Sequence, residues 1–449
     1  MWRFGLICIW ALLSTADIGS AQETTAIVGG RVIDGNGGPP LDNGVVVFRG
    51  DRIVAVGPRN EAQIPPGARI IDASGKSVMP GLADMHVHLL GGWDGQRTDL
   101  LGYSRFMNAL LYAGVTTVMD TGNFLPFVQQ LRQEVAASRL VGPRIFMVGP
   151  LIDGPDPVWP PISLIVASTS QLPAYIRQLR SAGVDAVKAY AGLSENEIVA
   201  LVSASNAESL RVFVDAGARN GTNVVAETGI AAFAHLGASP VSDEALKTMQ
   251  DRGIASITTL AVYEAQSRRR LVDGAFLKEP LVADVMPSVF LDELSEYARK
   301  PLSADERIRA DRNAGRLSVA KANAKRLQEA GVMLVAGTDA PYPGNYYGEG
   351  LHRELELLVE AGLTPLQALT ASTKNAAILM NQAQEWGTLA SGRRADILII
   401  NGHPASEIRD SRNVEMVIQN GRMIDRASLK VDRQKDAGFR MAPVYSPGQ

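Results

Sequence analysis

Met79-Pro80-Gly81-Leu82-Ala83-Asp84-Met85-His86-Val87-His88-Leu89 is the stretch that decides the fold. Side chains on a strand alternate between its two faces, so two histidines separated by one valine in an apolar run point the same way. Neutral imidazoles placed like this can hold one metal ion, although a pair of packed core histidines would give the same pattern. The Pro80-Gly81 pair before them reads as a turn feeding the strand, which would set His86 and His88 in the mouth of a barrel or sheet.

Upstream of this stretch, short β-type runs alternate with turn clusters: Ala26 to Val28, Gly44 to Phe48, Arg52 to Val56 and Arg69 to Asp72. Gly50-Asp51 joins two of them at hairpin spacing, so the segment predicts a small antiparallel sheet. Downstream, helices alternate with apolar strands at Val115–Met119, Arg144–Val148, Ala186–Tyr190, Leu210–Val214, Ala231–Ala234, Ala255–Thr259 and Val332–Ala336, which with the His86 strand makes eight. Ser194 with Glu197, Ser303 with Glu306, and Thr364 with Gln367 after Pro365 carry the signature of helix starts. Eight strands alternating with helices predict an α/β fold, a (β/α)8 TIM barrel over residues 81–380 with its chemistry at the carboxyl ends of the strands. After Met380 the β pattern returns at Ala395–Ile400, Val414–Ile418 and Arg422–Ile424. Residues 22–80 and 381–430 therefore predict one small β-sandwich-like domain built from both chain ends, with 431–449 as a polar tail.

The chain has 449 residues, of which 46% are hydrophobic and 20% charged, an ordinary globular composition. A formal net charge of −3 offers no basic field for nucleic acid and no acidic tail for a basic partner, which leaves a small-molecule substrate as the expected partner. The first 21 residues read as a secretory signal: Arg3 is the positive n-region, Phe4 to Leu13 the apolar core, and Gly19-Ser20-Ala21 the small residues before the cut. The chain is thus expected in the periplasm or secreted, and no later run is apolar enough to span a membrane. Cys8, the single cysteine, lies inside the signal, so the mature chain would have neither a disulfide nor a thiolate ligand. The reading leaves room for a homo-oligomer.

Three more residues stand at or near predicted strand ends. Lys188 interrupts an apolar strand, where an unpaired ammonium is costly to bury. His235 follows Ala231–Ala234, and Asp339 follows Val332–Ala336 within Gly337-Thr338-Asp339-Ala340. Each alone has an ordinary structural explanation; together with His86 and His88 they converge on one end of one barrel.

The whole pattern resembles the amidohydrolase superfamily, in its imidazolonepropionase-like, prolidase-type branch. The resemblance rests on Pro80-Gly81 leading to His86-Val87-His88, the Lys188 strand and Gly337-Thr338-Asp339-Ala340. It extends to Leu351-His352-Arg353-Glu354-Leu355, Ala361-Gly362-Leu363-Thr364-Pro365 and Gly392-Arg393-Arg394-Ala395-Asp396. It implies a binuclear divalent metal centre, usually zinc, two per chain, bridged by a carboxylated Lys188. The family expects a histidine at the end of the fifth strand, and Leu210–Val214 here ends in Asp215. A rival register through Glu227 leaves only eight residues before His235, too few for a crossover, whereas Asp215 leaves twenty. An aspartate there adds negative charge and favours a harder ion such as manganese, with the second metal weakened.

The expected activity is metal-assisted hydrolysis of an amide or peptide-like bond, of dipeptide or N-acyl amino acid type. The resemblance implies a metal set of His86, His88, Lys188, Asp215, His235 and Asp339, with Asp339 as the catalytic proton carrier. Tyr190, His352 and Trp159 are candidate substrate-binding residues, and Arg268-Arg269-Arg270 could meet a substrate carboxylate or form a solvated face. The same site could serve an esterase, lactonase or phosphoesterase, or a degenerate member that binds a ligand without cleaving it.

Overall fold

Strong β formers alternating with two-residue turns build the first part of the chain: β1 (Thr24–Val32), β2 (Leu41–Arg49), β3 (Arg52–Pro58), β4 (Arg69–Asp72) and β5 (Ser77–Pro80). Nearly continuous apolar runs follow as β6 (Leu82–Val87), β7 (Val115–Asp120), β8 (Arg144–Met147), β9 (Leu151–Asp153) and β10 (Ser163–Ile165). They continue as β11 (Ala186–Ala189), β12 (Arg211–Val214), β13 (Ala232–Phe233), β14 (Ala255–Ile257) and β15 (Leu334–Val335). The last strands are β16 (Ile397–Ile400), β17 (Val414–Gln419) and β18 (Arg422–Ile424). The computed structural model describes residues 23–90, 92–94, 102–215, 221–235, 237, 239–272 and 274–434. The signal read over residues 1–21 lies outside the described residues, as does the tail from residue 435 on.

Both chain ends share one sheet of eight strands in the order β18-β17-β16-β5-β1-β2-β3, with β4 also paired to β1. The seam between the ends is antiparallel, from Ile397 opposite Pro80 to Ile400 opposite Ser77. Gly50-Asp51 is the predicted hairpin, since Arg49 pairs with Arg52. Period-two alternation gives the sheet two apolar faces: Ile27, Val46, Phe48 and Ile397 pack in one cluster, and Ala26, Val28, Val45 and Val47 in another.

Pro80-Gly81 is not a turn, although the dipeptide suggests one feeding the strand. The chain passes from β5 into β6 with one residue between, Gly81 N–H donating to the Asp396 carbonyl and Leu82 N–H to that of Gly114. A Cβ on Gly81 would lie 2.1 Å from Thr116 Oγ1, so close approach rather than turn geometry requires the glycine.

All eight predicted parallel strands form, as β6, β7, β8, β11, β12, β13, β14 and β15, while β9 and β10 are short additions after β8. The ladders divide into a three-stranded sheet, β6-β7-β8, and a seven-stranded sheet, β10-β9-β11-β12-β13-β14-β15. One junction between the two is bridged by Asp185 N–H donating to the Met147 carbonyl, the other by Met85 N–H donating to that of Ala336. The three predicted helix starts are capping boxes, at Ser194, Ser303 and Thr364.

Helix Glu349–Glu360 reaches the segment after β14, where Glu354 accepts from Thr258 and Ala261, and carries three polar side chains with no exposure, Glu349, His352 and Glu354. Glu349 is held by both terminal nitrogens of Arg270, at 2.7 and 2.9 Å, and by Arg412 at 2.8 Å. Arg353 of the same helix forks onto Glu264 at 2.6 and 2.7 Å. Arg270 is therefore committed to the interior and is not the solvated or substrate-facing residue its triplet suggested. Burial alone would push the Glu349 carboxyl up, but the two guanidinium groups outweigh it and hold it at about 2. A carboxyl depressed on folding contributes stability that is present above its unfolded value of about 4.3 and is lost as pH falls through the folded one.

Two outcomes are expected from urea unfolding of variants. Glu349→Gln should be about 3–5 kcal/mol less stable near neutral pH, because it leaves buried guanidinium charge uncompensated, and should lose less stability than the wild type between about pH 4.5 and 2. Gly81→Ala should cost about 1–3 kcal/mol by overpacking against Thr116.

Candidate metal centre

The site begins with how β6 ends. Asp84 is fully buried and accepts from Thr338 N at 3.0 Å and from Thr338 Oγ1 at 2.7 Å, tying β6 to the loop after β15. Burial pushes this carboxyl up to about 8, against the hydrogen bonds that it accepts. In that loop Gly337 passes so close that a Cβ would lie 2.7 Å from His86 Cβ. Asp339 then donates its N–H to the His86 carbonyl at 2.7 Å with φ of +58°, a left-handed conformation that Asp accepts more readily than most residues.

Each histidine is oriented through Nδ1. His86 Nδ1 donates to the Ala234 carbonyl at 2.9 Å, and His88 Nδ1 to the Gly122 carbonyl at 2.9 Å. A carbonyl can only accept, so Nδ1 carries a proton in both rings and Nε2 is the atom that each turns toward the centre. Both Nε2 atoms meet Asp339 Oδ1, at 3.5 Å from His86 and 3.1 Å from His88. His235 contacts Thr259 Oγ1 through Nδ1 at 2.7 Å and Asp215 Oδ2 through Nε2 at 3.2 Å. The Lys188 ammonium nitrogen lies 3.0 Å from His86 Nε2, and the His86 and His235 rings are 4.6 Å apart.

The six residues expected as metal ligands thus stand together, at or just beyond the carboxyl ends of β6, β11, β12, β13 and β15. Glu227, the rival for Asp215, ends the short helix Thr222–Glu227 and accepts from Thr248 Oγ1 at 2.8 Å, away from the site.

Burial is the main influence on His86, holding its imidazole well below the usual value and therefore neutral. Burial likewise lowers Lys188, opposed by the carboxylates of Asp215, Asp339 and Asp120. Burial pushes the Asp339 carboxyl up, but His88, His235 and Lys188 around it outweigh that and hold it below the usual carboxylate range.

The donor set fits a divalent metal. Separations of 3.1 and 3.5 Å between ligand atoms suit ligands about 2.0–2.1 Å from one ion, and His86, His88 and Asp339 form a metal-capable cluster among the described residues. Each imidazole also has the outer hydrogen bond that metal-binding histidines use to fix their orientation.

In front of this centre lies a cavity of about 190 Å³. Trp159 and Tyr190 line it, as their positions suggested, and Trp159 Nε1 donates to the Tyr190 hydroxyl at 3.1 Å. His352 does not line it. That imidazole is buried between Ser411 Oγ and the Ala113 carbonyl, at 2.9 and 2.8 Å, and burial holds it down at about 4, so its role is structural. Sequence reasoning missed Asp120, which stands after an apolar strand as Asp339 does. Its carboxylate receives Leu89 N–H, Gly122 N–H and the Asn123 amide, and so fixes the carbonyl that orients His88. It also missed Asp153, which receives Gly154, Gly192 and Val158 N–H groups and pins the Trp159 loop, and Tyr342 on the cavity wall.

Known proteins resemble this chain in sequence and in fold. The amidohydrolase family profile matches residues 77–424. The imidazolonepropionase of Haloarcula marismortui is 25% identical over 415 residues, covering 83% of this chain and 87% of that protein. A Xaa-Pro dipeptidase solved with methionine in its active site has a similar fold, with a TM-score of 0.72 at 22% identity over 90% of this chain and 100% of its own. Molinate hydrolase does too, with a TM-score of 0.71 at 24% identity over 95% of this chain and 100% of its own. The protein belongs to the amidohydrolase family of enzymes that hydrolyse carbon–nitrogen bonds.

Proposed function

We propose that this chain is an exported, metal-dependent amidohydrolase that cleaves an amide or peptide-like bond in a small molecule, the class that includes dipeptides and N-acyl amino acids. The observation that carries the reading is the convergence of His86 Nε2 and His88 Nε2 on Asp339 Oδ1, with Lys188 Nζ 3.0 Å from His86 Nε2. The same proposal takes the two parallel sheets as one (β/α)8 barrel over residues 81–380, beside a β-domain of residues 22–80 and 381–430. Export rests on the signal-like first 21 residues.

Zinc or manganese, two ions per chain, would be held by His86, His88, Lys188, Asp215, His235 and Asp339, and such ions supply Lewis acidity that lowers the pKa of a water to about 7 and polarises a carbonyl. Lys188 would serve as its carbamate, formed when the neutral amine adds carbon dioxide and releases a proton. That change turns a buried ammonium, which is costly, into an anionic ligand. Asp339 accepts the proton of the attacking water and passes it to the leaving amine, whose nitrogen must be protonated before the carbon–nitrogen bond breaks. Its ionised state and its place beside both β6 histidines suit that task. Tyr190, which burial pushes far up and therefore keeps protonated, offers a neutral hydroxyl toward the substrate.

Asp339→Ala should remove turnover of an amide panel while retaining much of the bound metal, with rate losses of about 10³-fold or more; unchanged turnover would contradict the assignment. Chelation should abolish activity of the wild type, and zinc or manganese with bicarbonate should restore it. Restoration equal without bicarbonate, in carbon dioxide-free buffer, would argue against the carbamate.

A further inference from the structure

We infer that Glu354 is a positioning residue for the metal centre: by clamping the segment after β14 it presents the Thr259 hydroxyl to His235 and so sets the orientation of that ligand. This rests on the metal-dependent reading and deepens it. It also gives a task to the Leu351-His352-Arg353-Glu354-Leu355 stretch, which does not line the cavity.

The three histidines are not held alike. His86 and His88 reach backbone carbonyls through Nδ1, whereas Nδ1 of His235 meets a side chain, Thr259 Oγ1, at 2.7 Å. His235 Nε2 faces Asp215 Oδ2 at 3.2 Å. With an ion on Nε2 the imidazole proton must sit on Nδ1, where the hydroxyl oxygen accepts it. The direction of the ring therefore follows where Thr259 stands.

Thr259 has a φ of +62°, a left-handed conformation that a β-branched residue adopts only when its surroundings impose it. It precedes helix Leu260–Gln266, where a threonine ordinarily turns its oxygen back to the first N–H groups of its own helix, yet Thr259 makes no such bond. Glu354 takes that role from another helix. One of its carboxylate oxygens accepts Ala261 N–H at 2.7 Å, and the other accepts the Thr258 hydroxyl. Thr258 N–H is tied to β15, donating to the Val335 carbonyl at 2.9 Å. The backbone before and after Thr259 is thus fixed, and the hydroxyl released from capping is the one that meets His235. Beside Glu354, Arg353 grips the same helix at Glu264, at 2.6 and 2.7 Å. Thr258, Thr259 and Glu354 have no exposure, so bulk water does not stand in for these partners.

The test is a zinc titration of the full chain, with bicarbonate, against a competing chelator dye, run beside urea unfolding. Glu354→Gln places an amide NH2 where one of the two donors points, and Thr259→Val keeps the branched shape but removes the hydroxyl. Each should weaken one of the two ions by about 10–100-fold and leave the other unchanged. Because both act through one contact, the double variant should bind that ion no more than about threefold more weakly than Thr259→Val alone. Should Glu354→Gln fail to fold, Thr258→Val, which removes one of the two donors to Glu354, takes its place in the cycle under the same expectations. Wild-type affinity for both ions in the folded Glu354→Gln chain, or losses that multiply in the double variant, overturn the inference and leave the metal centre standing. A wild-type chain that binds no zinc removes the metal reading and the inference with it.

Discussion

The carboxyl end of β6 and the loop after β15 are held together by a short series of hydrogen bonds, and the candidate site exists because of them. Met85 N–H donates to Ala336, Thr338 donates twice to Asp84, and Asp339 N–H returns to the His86 carbonyl. Gly337 permits the approach, and Asp339 turns into the left-handed region to complete it. Two histidines from the start of the parallel layer and one carboxylate from its end are thereby brought within hydrogen-bonding range, although about 250 residues separate them in the chain. His86 and His88 are each oriented by a backbone carbonyl from outside the cluster.

Much of this was legible in the sequence because strand periodicity and helix caps are local signals. The His86-Val87-His88 spacing, the Lys188 strand and the capping boxes at Ser194, Ser303 and Thr364 need only neighbouring residues to be read. What escaped depends on partners distant in the chain. Pro80-Gly81 reads as a turn, yet its glycine answers to Thr116 in the next strand. His352 looks like a pocket residue until Ser411 and Ala113 are seen to hold it. Arg270 reads as part of a solvated triplet, but its partner Glu349 is 79 residues away. Asp120 and Asp153 stand at strand ends just as Asp339 does, and only the groups they receive tell positioning from chemistry.

Asp215 is where this chain departs from the pattern it otherwise follows. It occupies the end of β12, beside His235 at 3.2 Å, where a neutral imidazole is expected. A carboxylate there adds an anion to a set that already contains Asp339. The charge can be balanced by divalent cations, and oxygen donors suit harder ions better than imidazole does.

The central claim is that these six residues form a metal centre. Its most direct test is elemental analysis of the protein purified without chelator, reported as metal per chain. Close to two ions of zinc or manganese is the result that this account predicts. No bound metal, even after zinc or manganese is supplied with bicarbonate, would contradict it.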